Sequence, residues 1–377
     1  MPQKIFIAIF ILLLPDMVFS QLNNDMLKYN YEIDEADSNT LWLGVRALGF
    51  NKNNEYFNKI TDGYTLFGYQ FSPYFSYRPG GHIKIDAGIY LQQDLGNKSI
   101  STIQPVFTIK YLEGNHSITF GSLENSYNHG LIEPLYNFEK GLIDRQEFGV
   151  QANFDLTKIW LDTWLSWENM IYKNDPEQEV VNLGISSRYK IIHNSEHSFS
   201  IPGQLIVYHK GGQIDINPNP LSTFTNYAIG FKYEKFTSGW INSWSGENYI
   251  VGYTDFSFEK RQFYTQGNGI YLNLGAKLNK GVEVLASYWH GRGYTPIIGG
   301  ELYSSQSFTV HNPNYTEDTR DLLIMRFFYN KNIGDGLQVS IRFEPYYDVG
   351  NSTFEFSHGM YLNFNSDFLL AKITKKH

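Results

Sequence analysis

From about residue 41 onward, short and long connections take turns between segments in which polar and apolar residues alternate with period two. The short ones are turn-like: Arg78-Pro79-Gly80-Gly81, Glu113-Gly114-Asn115, Leu156-Thr157, His193-Asn194-Ser195-Glu196, Lys235 to Gly239, Asn279-Lys280-Gly281 and Lys331 to Gly336. Between them lie longer polar connections, the largest being Glu124 to Asp144 and Gly291 to Thr319. A period of two marks strands, because successive side chains point to opposite faces of a sheet. Strands of about ten residues, with short turns at one rim and long loops at the other, describe an all-β, closed antiparallel transmembrane barrel whose short turns are periplasmic and long loops extracellular.

Several segments are regular enough to assign faces. In His82 to Gln92 the apolar face is Ile83, Ile85, Ala87, Ile89 and Leu91, against Lys84, Asp86 and Gln92 on the other. Arg145 to Leu156 sets Phe148, Val150, Ala152 and Phe154 against Arg145, Glu147, Gln151 and Asn153. Leu337 to Pro345 sets Leu337, Val339, Ile341 and Phe343 against Gln338, Ser340, Arg342 and Glu344. Continuing along the chain predicts about 16 strands, with 14 to 18 as the range, because Lys235 to Gly267 shows no clear face. A soluble antiparallel sandwich would also alternate, but it would leave sheet edges to protect and would not sort its connections by length.

The N-terminus predicts export. Lys4, the apolar run Ile5 to Leu14 and the small-residue site Val18-Phe19-Ser20 form a signal peptide over residues 1–20. Residues 21–40 are expected to be a periplasmic lead-in, 41–366 the barrel and 367–377 a basic tail. Mean hydropathy is −0.34, which is compatible with a barrel because half of its strand residues face water. Aromatic residues make up 17% of the chain, enough for girdles at both membrane interfaces. A net charge of −8 argues against a nucleic-acid partner. The chain contains no cysteine, which excludes disulfides, thiol catalysis and thiolate metal sites.

On this patterning the chain resembles the porin-type barrels of the bacterial outer membrane over its whole mature length, although no diagnostic motif carries the likeness. The resemblance implies an outer-membrane location, contact with outer-membrane lipid and lipopolysaccharide, and passage of small hydrophilic solutes or saccharides. It also implies that the third long loop, Glu124 to Asp144, folds inward and narrows the pore. That loop carries Glu124, His129, Glu133, Glu139 and Asp144. The lumenal wall would supply Arg46, Lys84, Arg145, Arg188, Arg326 and Arg342, and carboxylates facing such cations select solutes by charge and dipole. The other large loop, Gly291 to Thr319, is expected to contribute little.

Lys158 to Glu168 places Trp160 and Trp164 on the charged, lumenal face. They are candidates for stacking on sugar rings, and packing beneath the inserted loop is the competing reading. A scaffold barrel of a secretion or surface-attachment complex is a third reading of the whole chain. No phosphate loop, nucleophile elbow or HExxH is present. The expectation is therefore a channel that is not an enzyme and uses no cofactor or metal. A hydrolase using a Ser and a His on the barrel's outer face stays open as an alternative, although no strand shows that pair. Oligomeric state is not legible.

Overall fold

A computed structural model describes residues 24, 27–28, 37–123 and 127–373; the expected signal peptide lies outside them. Sixteen strands follow in order: β1 (Thr40–Glu55), β2 (Thr65–Arg78), β3 (Ile83–Asp94), β4 (Thr102–Glu113), β5 (His116–Ser122), β6 (Phe148–Asp155), β7 (Ile159–Asn169) and β8 (Val180–His193). They continue with β9 (His197–Lys210), β10 (Ser222–Phe236), β11 (Ile241–Asp255), β12 (Gln266–Leu278), β13 (Val282–Arg292), β14 (Thr319–Gly334), β15 (Leu337–Asp348) and β16 (Thr353–Lys372). Each pairs with its sequence neighbours, and β1 closes on β16 in an antiparallel seam from Thr40↔Lys372 to Glu55↔Phe356. The last strand therefore carries both Phe364 and Phe368 and runs past the boundary expected at residue 366.

The alternation in the sequence becomes the two faces of the wall. Lys84, Asp86, Gln151, Asp162, Arg326 and Arg342 are buried inside, while Phe75, Ile103, Phe120, Ile229, Ile250 and Leu274 are exposed outside. An Arg facing lipid at the bilayer midplane costs about 2–4 kcal/mol, so a one-residue register slip, which exchanges the faces of a whole strand, is strongly disfavoured. No helix among the described residues is long and apolar enough to cross a membrane. The crossing elements are the strands.

The lumen is packed. Leu135 of the β5–β6 loop and Tyr294 and Tyr303 of the β13–β14 loop join Tyr249, Tyr271, Trp289, Leu322 and Tyr346 of the wall in one buried cluster. A second cluster joins Tyr127, Phe138 and Leu142 of the first loop to Leu48, Phe50 and Tyr361 of the wall, with Leu27 among them. Leu27 belongs to the segment expected to be a periplasmic lead-in, yet it is fully buried, and its carbonyl accepts a hydrogen bond from Arg145 at 2.7 Å. Asn24 likewise accepts from Arg342 at 2.8 Å. Wall cations buried in a narrow interior require partners, and these N-terminal residues supply two of them.

Candidate functional site

The inward loop reaches the wall at two places. At the first, His129 lies face to face with Trp164, ring centroids 3.5 Å apart and planes 8° apart. Its Nδ1 is 2.6 Å from Asp162 and its Nε2 is 3.1 Å from Glu147. Burial alone would lower the imidazole pKa, but the Asp162 and Glu147 carboxylates more than offset this and hold it up at about 9. The ring is thus an imidazolium at neutral pH, bridging two carboxylates. Trp164 lies across Gly184 of the next strand, where a Cβ would stand 1.9 Å from its ring, so both of its faces are covered. Trp160 holds Arg188 over its ring at 5.5 Å.

At the second place, Arg326 donates to Glu133, and also to Ser287 Oγ and Tyr303 Oη at 2.8 Å each. Burial raises the carboxyl pKa of Glu133, and the Arg326 guanidinium opposes the rise. Glu139 accepts from Asn54 at 3.1 Å and from Tyr64, with Lys52 at 3.9 Å. Lys52 itself is held by Glu344 at 2.9 Å. Asp144 is exposed at the end of the loop's short helix, α1 (Lys140–Ile143), and Glu124 lies outside the described residues. Among the wall cations, Arg46 sits over Tyr74 at 4.3 Å, Lys84 pairs with Asp86 at 3.1 Å, and Arg342 packs on Phe138, Phe328 and Tyr361. The structure brings Glu133 together with Arg326 alone of the named arginines; Lys52 and Glu344 complete that cluster and were not anticipated.

The expectation for Gly291 to Thr319 needs correction. This loop also folds inward and bonds to the first: Gly300 N–H donates to the Glu133 carbonyl, Asn137 N–H to that of Ile298, and Tyr294 Oη to that of Pro134, at 2.7–2.8 Å. Asn226 of β10 ties the loop to the wall through Thr295 and Ile297. The reason is composition: Tyr294, Ile297, Ile298, Leu302 and Tyr303 give the loop an apolar surface that is stable only when buried. A cavity of about 60 Å³ remains between the loops and the wall, lined by Lys52, Glu133, Glu139, Tyr303, Arg326 and Glu344 among others.

A different constellation lies on the outer face at the long-loop rim. Register aligns Ile229, Ile250, Ile270, His290 and Asp321 in one outward row, and Tyr227, Gly252, Asn268, Arg292 and Thr319 in the row above it. His290 Nδ1 meets Asp321 Oδ1 at 2.8 Å, and Tyr288 Oη donates to the same oxygen at 2.7 Å. Beside them is a recess of about 590 Å³ lined by Tyr227, Thr254, Gln266, Asn268, Arg292 and Asp318 among others. Tyr227, which lines it, lies over Gly252, where a Cβ would stand 2.2 Å from the ring. An imidazole oriented by a carboxylate can accept a proton at its other nitrogen. Sequence reading missed it because Asp321 meets His290 only across two strands. The legible signal was His290 itself, a polar residue on the lipid-facing parity of its strand. Among the described residues, no group of three or more His, Asp or Glu is placed to hold a metal ion.

The fold is shared with solved outer-membrane proteins. OprD of Pseudomonas aeruginosa superposes with a TM-score of 0.51 at 10% identity, over 90% of this chain and 98% of its own. The outer membrane protein OpdK of the same organism gives 0.50 at 9%, over 88% and 100%. A loop-deleted OmpT of Vibrio cholerae gives 0.50 at 9%, over 87% and 100%. At such identities the likeness is one of fold. No curated protein matches the sequence. The profile of the Lipid A 3'-O-deacylase-type family, however, matches residues 33–373. That family is one of enzymes, which overturns the expectation of a barrel that is not an enzyme. The chain belongs to the Lipid A 3'-O-deacylase-type family.

Proposed function

We propose that this protein is a bacterial outer-membrane hydrolase that removes an ester-linked acyl chain from a lipid of the lipid A type, at the outer face of its barrel. The observation that carries this reading is the His290–Asp321 pair, oriented and lipid-facing at the extracellular rim. Asp321 fixes the Nδ1–H tautomer, leaving Nε2 toward the substrate. Nε2 takes a proton from water as the water oxygen attacks the ester carbonyl carbon. The tetrahedral oxyanion then collapses, the C–O bond to the sugar breaks, and the departing oxygen takes the proton back from the imidazolium. Arg292, two residues along the same face and so about 7 Å away, is placed to meet negative charge on the headgroup. In purified protein supplied with lipid A, His290→Ala should lower fatty-acid release by about 10²–10⁴-fold, the usual worth of a general base. Undiminished release from that variant would sink the assignment.

A second reading, a diffusion channel for small hydrophilic solutes or saccharides, draws support from the shared channel fold and from the charged interior. In it, Glu133 and Glu139 on the inward loop, opposed by Arg326 and Lys52, select by charge at the constriction. Single-channel conductance in a planar bilayer tests it. Deleting the loop's centre should raise conductance, and a conductance unchanged by the deletion would remove this reading.

A further inference from the structure

The extracellular loop between β11 and β12, DFSFEKRQFYTQ from Asp255 to Gln266, carries the most exposed large apolar side chain of the described barrel. Phe258 is 101% exposed and Phe256 65%, while Ser257 between them is 6% exposed and Asp255 before them is also buried. The in–out alternation of β11 therefore continues past the end of its hydrogen-bonded ladder. Phe256 and Phe258 take the parity of Ile250, Gly252 and Thr254, the lipid-facing side of the wall.

This arrangement is fixed rather than loose. Phe256 N–H donates to the Thr223 carbonyl at 2.8 Å, Ser257 Oγ accepts from Thr223 N–H at 2.9 Å, and Ser257 N–H donates to Asp255 at 2.7 Å. The neighbouring β9–β10 loop adds exposed Ile214, Ile216 and Leu221, and Arg261 joins the two loops by donating to Asn219 at 3.0 Å. Phe263 is exposed as well. The loop's charges pair within it, Lys260 with Asp255 at 3.6 Å and Arg261 with Glu259 at 3.0 Å.

An exposed aromatic cluster of this kind marks a binding surface, and each phenylalanine offers about 150–250 Å² to an apolar partner. We propose that Phe256, Phe258 and Phe263, with Ile216 and Leu221, insert into the acyl region of the outer leaflet and anchor this side of the barrel in lipid. The occupant is lipid because Phe256 and Phe258, beyond the recess that Thr254 lines, keep the parity of Ile250, whose face of the wall is the lipid-facing one. The proposal requires the membrane location and is independent of hydrolysis at His290.

The absence of cysteine permits a clean test. Phe258→Cys and Phe263→Cys variants of the full chain, with Lys98→Cys on the β3–β4 loop as the aqueous reference, are spin-labelled in phosphatidylcholine vesicles. Oxygen, which concentrates in lipid, and a water-soluble nickel chelate are compared as relaxing agents. The expected result is oxygen-favoured labels at 258 and 263 and a nickel-favoured label at 98. As a check that the label does not itself drive insertion, unlabelled Phe258→Trp in vesicles of brominated-acyl phosphatidylcholine should be quenched more, relative to native protein, than unlabelled Lys98→Trp. Labels at 258 and 263 as accessible to nickel as that at 98 would overturn the proposal. So would protection seen only in native outer membranes and not in vesicles, which would assign the patch to a protein partner. Fatty-acid release, measured on the same samples, reports on the hydrolase reading separately.

Discussion

Two His–Asp pairs lie on opposite sides of the same wall, and they differ in what surrounds the second nitrogen. His129 meets Asp162 inside the barrel at 2.6 Å, and its Nε2 is taken by Glu147 while Trp164 covers its ring. Its side chain is 1% exposed. His290 meets Asp321 outside at 2.8 Å, its side chain is 41% exposed, and no partner for Nε2 is found among the described residues. The hydrogen bond to the carboxylate is the same motif in both. The inner ring is saturated and charged, which makes it a clamp; the outer ring is oriented with its second nitrogen exposed, the arrangement that the proposed hydrolysis requires. Access to the second nitrogen, more than the carboxylate, separates a structural pair from a chemical one.

Exchanging the two residues' fates is the sharpest way to break this contrast. Asp321→Asn, which spoils the tautomer, should lower fatty-acid release by about 10²–10⁴-fold, whereas His129→Gln should leave release within about twofold of native. Comparable losses from both would mean that the outer pair acts only through the fold.

The next effect is on stability and concerns the inner pair. A folded-state pKa of about 9 for His129, against an ordinary 6.5, means that the clamp's contribution is fully present below about pH 6.5. It is lost as pH rises through about 9, on the order of 3 kcal/mol in all. Thermal unfolding followed at pH 6 and pH 10 should show this loss in native protein and a much smaller one in His129→Gln. An identical pH dependence in the two would assign the imidazolium no part in holding the loop.

The smallest effect tests the outer surface. Asn268, beside Arg292 in the outward row, occupies a near-interface position where polar side chains cost only about 0–1 kcal/mol. Asn268→Leu should therefore leave stability within about 1 kcal/mol of native, or raise it, while weakening retention of lipid A. A polar residue kept on a lipid face against its own small cost is consistent with a ligand; unchanged retention would show that the recess lined by Asn268 does not hold the lipid.

Most of the fold was legible because a barrel's faces follow parity. Lys84, Gln151 and Arg342 inside and Ile89, Val150 and Ile341 outside were readable from period two alone. The inward loop with Glu133 came from the loop's ordinal position and the likeness to porin-type barrels, not from parity. What parity cannot supply is which residue lies beside which across strands. His290 and Asp321 are joined only by the β13–β14 register, which no single strand displays. Lys52 and Glu344 were missed for the same reason, since they meet across the β1–β16 seam and β15. Burial of Leu27 was illegible for another reason: a short apolar residue in a polar lead-in carries no period.

The packed lumen has a mechanical consequence for the outer face. Trp289 precedes His290 and Leu322 follows Asp321, both completely buried against the loop residues that fill the barrel. An empty cylinder of sheet could flex under a lipid pressing from the side. Here the wall behind the pair packs against buried loop residues in one cluster, and close-packed side chains compress little. The imidazole and carboxylate are thus mounted on a stiff bed, and in the proposed hydrolysis the adjustment that brings an ester to His290 has to come from the lipid.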